Sequence, residues 1–201
     1  MTFANVNSIR VLATAGLALA LTMGVAVATV GTGAPANAAV PSANPLPGWL
    51  HKDGQYFTYW LPTKDWQAVE TNRGLDITSP TGLYAVGFGW SSLAMPTTTS
   101  QVFQAIMSGH AQDFTKWKAL QTSPVTNTAT GTRQVIEFTA MHKYPLQGWK
   151  PVRGVAIADA LDTGMGSYGM DATLMYAPAA EWSKQMSTLD RIRTNITPMH
   201  G

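Results

Sequence analysis

"YFTYWLPTKDWQAVE", residues 56–70, sets up the strand pattern on which the rest of the chain is built. Phe57, Tyr59 and Leu61 fall on one face, and Tyr56, Thr58 and Trp60 on the other. Such alternation marks a strand, because successive strand side chains point to opposite faces. Pro62 has no N–H to give a neighbouring strand and ends the run, and Asp65 suits the turn that follows. Trp66 comes next, placed to fold back over the strand, and "QAVE" starts a second, short strand. The aromatic density allows two readings, a surface of exposed rings or a founding strand with its plug. The Pro–turn–Trp spacing favours the second, with Trp66 in the core.

Downstream, "LDITSP" (75–80) and "LYAVGFGWSS" (83–92) continue as strands separated by tight turns, so the first part of the domain reads as one antiparallel meander. The period then changes. Val102, Phe103, Ile106, Met107 and Phe114 form one helical stripe over 98–114, with an N-cap offered by the Thr and Ser residues of 97–100. His110 beside that stripe is read as a packed side chain and not as a ligand. "TGTRQVIEFTAMHKY" (130–144) returns to period two, "PLQGWKP" (145–151) reads as a loop between two prolines, and "VRGVAIADAL" (152–161) and "SYGMDATLMY" (167–176) follow as strands around a hairpin. Trp182, Met186, Leu189, Ile192 and Ile196 make a last amphipathic helix, with Pro178 in its first turn and Pro198 beyond its end. Each helix has a single apolar stripe and needs a sheet face to cover. The expectation is an α+β fold: an α/β/α sandwich around a central antiparallel sheet of about six or seven strands, flanked by two main helices.

The chain ahead of this domain has a different character. Arg10 precedes an apolar run from Val11 to Val30, and Ala36-Asn37-Ala38 suits signal cleavage, so residues 1–38 read as a signal peptide. A retained anchor stays open as the alternative, since the run is about long enough to span a bilayer. Residues 39–48 read as a Pro-rich linker and 49–201 as the domain. There is no Cys, which excludes a lipidated Cys, disulfides and thiolate metal sites. Past residue 38, twelve basic side chains face eleven acidic ones without clustering, and this argues against nucleic acid as a partner.

Motifs for chemistry are thin. Residues 164–169, "GMGSYG", match G-x-G-x-x-G, but a period-two segment follows where a dinucleotide site needs a helix N-terminus. His51, His110, His142 and His200 are scattered without ligand spacing. Asp159, Asp162 and Asp171 surround one hairpin; paired carboxylates serve acid–base catalysis or cations, yet here they read as polar positions of a half-solvated hairpin and its turn. No catalytic, cofactor or metal residues are assigned. The remaining signal is the set of seven Trp residues. Trp182 lies on the helix stripe and is core. Trp149, in the loop beside Tyr144, is the best placed for an exposed anchor, and Trp60 faces away from the apolar side of its strand, either under a helix or exposed.

The opening "YFTYWLPTKDW" and the close "LMYAPAAEWSKQMSTLDRI" resemble PsbP-like domains. The resemblance covers most of the chain beyond the linker and rests on pattern and hydrophobic spacing. It implies an α/β/α sandwich in a family that includes extrinsic photosystem II subunits, a Ran-binding import factor and exported bacterial proteins, with no catalytic set to transfer. The resulting expectation is a secreted, non-enzymatic domain that binds a protein or cell-envelope component, with Tyr144, Trp149 and Trp60 as interaction residues. A binder of a small or carbohydrate ligand is the alternative, and a hydrolase using Asp159 or Asp171 is the least favoured.

Overall fold

The computed structural model describes residues 46–199 apart from Leu146, Thr163 and Met165. The expected signal peptide over 1–38, most of the linker over 39–48, and His200 lie outside the described residues.

In chain order the elements are β1 (Leu50–Asp53), β2 (Phe57–Leu61), β3 (Gln67–Thr71), β4 (Gly74–Thr78), β5 (Ala85–Leu93), α1 (Thr99–Gly109), β6 (Phe114–Thr122), β7 (Thr126–Thr128), β8 (Gly131–Tyr144), β9 (Gly148–Asp162), β10 (Tyr168–Pro178), α2 (Trp182–Arg193) and β11 (Thr197–Pro198). An eight-stranded sheet runs β3-β4-β5-β10-β9-β8-β6, with β7 also paired to β8, and a three-stranded sheet runs β1-β2-β11. Every pairing is antiparallel.

The main sheet is therefore larger and the protein more strand-rich than expected. The opening strand also belongs elsewhere. The β2 strand does not pair with β3 to start a meander; it joins β1 and the chain's last strand, β11, in a sheet of its own. Its apolar side, Phe57, Tyr59 and Leu61, still builds core. The helix expected to reach Phe114 stops at Gly109, and Phe114 instead begins β6, an element the periodicity did not show. The expected loop over 145–151 shrinks to a turn, because β9 already starts at Gly148. Gly148 has φ +67° there, a conformation natural to glycine, and this lets Tyr144 and Gly148 close the hairpin. Pro178 ends β10 and does not open α2.

Two cores lie on opposite faces of the main sheet. On one, α1 packs over β8, β9 and β10, held at its start by a capping box in which Thr98 Oγ1 accepts from the Gln101 N–H at 3.3 Å and the Thr98 N–H donates to Gln101 Oε1 at 2.9 Å. Val102, Phe103 and Ile106 meet Phe138, Ala156, Ala158, Ala172 and Leu174. The small residues of β9 let the helix approach closely. On the other face α2 and β2 bury Trp182, Leu189, Ile192 and Phe57 against Leu75, Ile77, Val86 and Met175. The sandwich is thus asymmetric: the α1 side carries a helix, the α2 side a helix and the small sheet.

Candidate functional site: the open face of the main sheet

Residues directly opposed on neighbouring strands share a face. The register of β8 with β9 opposes Lys143 to Trp149, Met141 to Pro151, Thr139 to Arg153, Glu137 to Val155, Val135 to Ile157 and Arg133 to Asp159. Asp159 is opposed in turn to Asp171, and Asp171 to Trp90. This parity is that of Met175, Val86 and Ile77, so all these side chains lie on the α2 side. The α2 helix sits over β5 and β10 and barely reaches β9. Beyond it the sheet loses its cover: on β8, Arg133 and Lys143 are exposed, and Val135, Glu137, Thr139 and Met141 are only half-buried.

Two ion pairs punctuate this open face. Arg153 approaches Glu137 Oε1 through Nε and Nη2, both at 2.7 Å. Arg133 grips Asp159 bidentately, Nε to Oδ1 at 2.6 Å and Nη2 to Oδ2 at 3.1 Å. In both pairs the carboxylate is the deeper partner: side-chain exposures are 49 % for Arg133 against 12 % for Asp159, and 42 % for Arg153 against 24 % for Glu137. Burial pushes Asp171 up to about 6; the neighbouring Asp159 charge adds to the rise, and Arg133 opposes it.

The three expected interaction residues do not come together. Trp149 is 43 % exposed and stands on this face, on a strand and not in a loop. Tyr144 is corrected: it points to the α1 side, is 2 % exposed, and its hydroxyl donates to the Leu83 carbonyl at 3.0 Å, so it offers no surface beside Trp149. Trp60 is buried on the outer side of the small sheet, its ring 4.9 Å from that of its register partner His51. The hairpin carboxylates also need correcting. Asp159 is buried and paired, not half-solvated.

The α1-side core holds a second polar group. His142 is buried among Phe114, Tyr144 and Tyr176, with ring centroids at 4.5, 4.4 and 4.6 Å. Its Nε2 shares a 3.2 Å hydrogen bond with the Tyr176 hydroxyl, and its Nδ1 has no hydrogen-bond partner among the described residues. Burial, with His110 second, lowers its pKa to about 4 and keeps the ring neutral. In the "GMGSYG" stretch, Gly164 and Gly166 have positive φ in a turn where the Gly164 N–H donates to Asp162 Oδ1 at 2.8 Å, and the strand β10 follows. Among the described residues no group of three or more His, Asp or Glu side chains is placed to hold a metal ion, and no helix is long and apolar enough to cross a membrane.

Sequence reasoning missed Arg133, Arg153 and Glu137. Their odd-numbered spacing within each strand was visible. What brings them opposite their partners is the pairing of Tyr144 with Gly148, where Pro145 and Pro151 suggest a longer loop.

No family model and no curated protein matches the sequence. Among solved structures, the chain is similar to the cyanobacterial PsbP (CyanoP) of Synechocystis, at 10 % identity over 83 % of this chain and 98 % of that one, with a TM-score of 0.48. It is also similar to LpqN of Mycobacterium tuberculosis, described as involved in cell envelope biogenesis, at 15 % identity over 76 % and 90 % of the two chains and a TM-score of 0.44. The Ran-binding protein Mog1p of Saccharomyces cerevisiae follows at 12 % identity, 74 % and 95 % coverage and a TM-score of 0.42.

Proposed function

We propose that this chain is an exported, non-catalytic binding domain that engages a protein or cell-envelope component through the open face of β6, β8 and β9. The observation that carries this reading is Trp149, a large ring left 43 % exposed on a strand at the uncovered end of a sheet. Exposed Trp and Arg side chains on a rigid scaffold are the residue types that dominate binding energy at interfaces. The non-catalytic part is supported by Asp159, whose two oxygens are both held by Arg133 and are thereby withdrawn from acid–base work.

A photo-crosslinking amino acid placed at Thr139, on the open face, and separately at exposed Ser100 on α1 tests the reading in cell-envelope extracts. Discrete adducts from position 139 only, lost with Trp149→Ala, are expected. Equal adducts from both positions, or none from position 139, would overturn it. The alternative, a carbohydrate stacked on Trp149, predicts instead a shift of the Trp149 indole signal on adding soluble glycans.

A further inference from the structure

Resting on that reading of the open face, we infer that its occupant is an extended, acidic peptide segment, lying along β8 and β9 and pairing with Lys143, Arg153 and Arg133. Three observations carry this. First, both ion pairs are layered, with carboxylates below and guanidiniums above, so an incoming chain meets cations first. Second, no carboxylate pairs with Lys118 or Lys143 among the described residues, and Lys143 stands opposite the exposed Trp149 ring. Third, the cations are spread in a line. At about 3.3 Å per residue, Trp149 to Arg153 spans roughly 13 Å, and Arg153 to Asp159, where Arg133 sits, roughly 20 Å. A compact anion meets one of these groups; a peptide of about ten residues meets all three.

The spacing also separates peptide from other polyanions. Duplex nucleic acid carries a charge about every 1.7 Å. Cations set this far apart would leave most of its phosphates unpaired. Between the charges the face offers Val135, Met141 and Val155, half-buried and apolar, which suit alternating apolar side chains. The peptide does not add to the sheet edge. Edge strand β6 breaks register between Thr115 and Lys118 and again between Ala119 and Gln121, and Lys116 sits at φ +56°, so its backbone cannot template a further strand.

Fluorescence anisotropy on the full chain tests the inference, using a labelled peptide of alternating Glu and Leu about ten residues long and its Gln-for-Glu counterpart. The Glu peptide is expected to bind, to weaken about tenfold or more as salt rises from roughly 50 to 300 mM, and to weaken similarly with Arg153→Glu or with the fully surface variant Lys143→Glu. Lys64→Glu, in an exposed turn, is expected to change nothing. Equal binding of the Gln peptide, equal loss with Lys64→Glu, or binding only to phosphatidylglycerol vesicles would overturn the acidic-peptide assignment. If the Glu peptide fails while adducts at position 139 persist, the occupant is wrong and the face stands. If it binds but is indifferent to Lys143→Glu and Trp149→Ala, the face itself is wrong.

Discussion

Asp159 and Asp171 stand opposite each other on β9 and β10, and Arg133 holds only the former in a bidentate ion pair. Asp171 is left to titrate at about 6, raised chiefly by burial above its ordinary 3.8. The folded state thus keeps a proton that the unfolded chain has released, so ionised Asp171 weighs against folding above about pH 6. Asp171→Asn is expected to stabilise the fold by about 1–2 kcal/mol at pH 7.5 and to be near neutral at pH 4. Urea midpoints at the two pH values check this; an equal gain at both would mean that charge is not the cause.

His142 titrates in the opposite sense. Its folded pKa of about 4 lies below the ordinary 6.5, so its contribution is whole above pH 6.5 and is lost as pH falls towards 4. Asp76 and Asp171, both raised to about 6, gain stability over much of the same range and mask the loss. His142→Phe is expected to cost about 1 kcal/mol at neutral pH, from the lost Tyr176 hydrogen bond, and then to gain more stability than the parent on acidification from 6.5 to 4.5. Thermal unfolding across that range measures the slope. An unchanged slope would place the titration on another group.

Trp66 and Trp182 separate a plug from a keystone. The sequence suggests that both are core, yet Trp66 is only partly buried against the α2-side cluster while Trp182 is 3 % exposed within it. Trp182→Ala is expected to cost about 3–5 kcal/mol and Trp66→Ala about 2. Chemical denaturation of the two variants in parallel decides it, and a larger cost at Trp66 would contradict the placement.

Gly154 and Gly148 are both glycine, for different reasons. A Cβ at 154 would sit 2.4 Å from the Met175 carbonyl oxygen and 2.6 Å from Phe138 Cζ, whereas at 148 it would meet nothing within 4 Å and only φ +67° resists it. Gly154→Ala is expected to cost about 2–4 kcal/mol by crowding, and Gly148→Ala about 1 by backbone strain. Pairing each with Phe138→Leu distinguishes them: relief at 154 but not at 148 is the expected result.

Local periodicity made most elements legible. Alternation from Phe57, from Ile136 and from Tyr168, and the helical spacings of Val102–Ile106 and Trp182–Ile192, report the burial of one face, which each segment carries in itself. The strand β6 escaped because its two register shifts and the positive φ of Lys116 break the period that would announce it.

The sequence by itself determined which side of each strand and helix is apolar, because that depends only on spacing along the chain. Tertiary structure decided what each side meets. It took the Phe57–Leu61 strand out of the expected meander and paired it with β11, distant in sequence, a choice made by long-range hydrogen bonding. It placed Tyr144 and Trp149 on opposite faces, since a hairpin that pairs 144 with 148 sends 149 to the side shared by 143. It aligned Arg133, Asp159, Asp171 and Trp90 in one row across four strands, and by seating α2 over β5 and β10 it left the far end of that face uncovered. Register and helix placement are set by packing between segments distant in sequence, and no single segment encodes them.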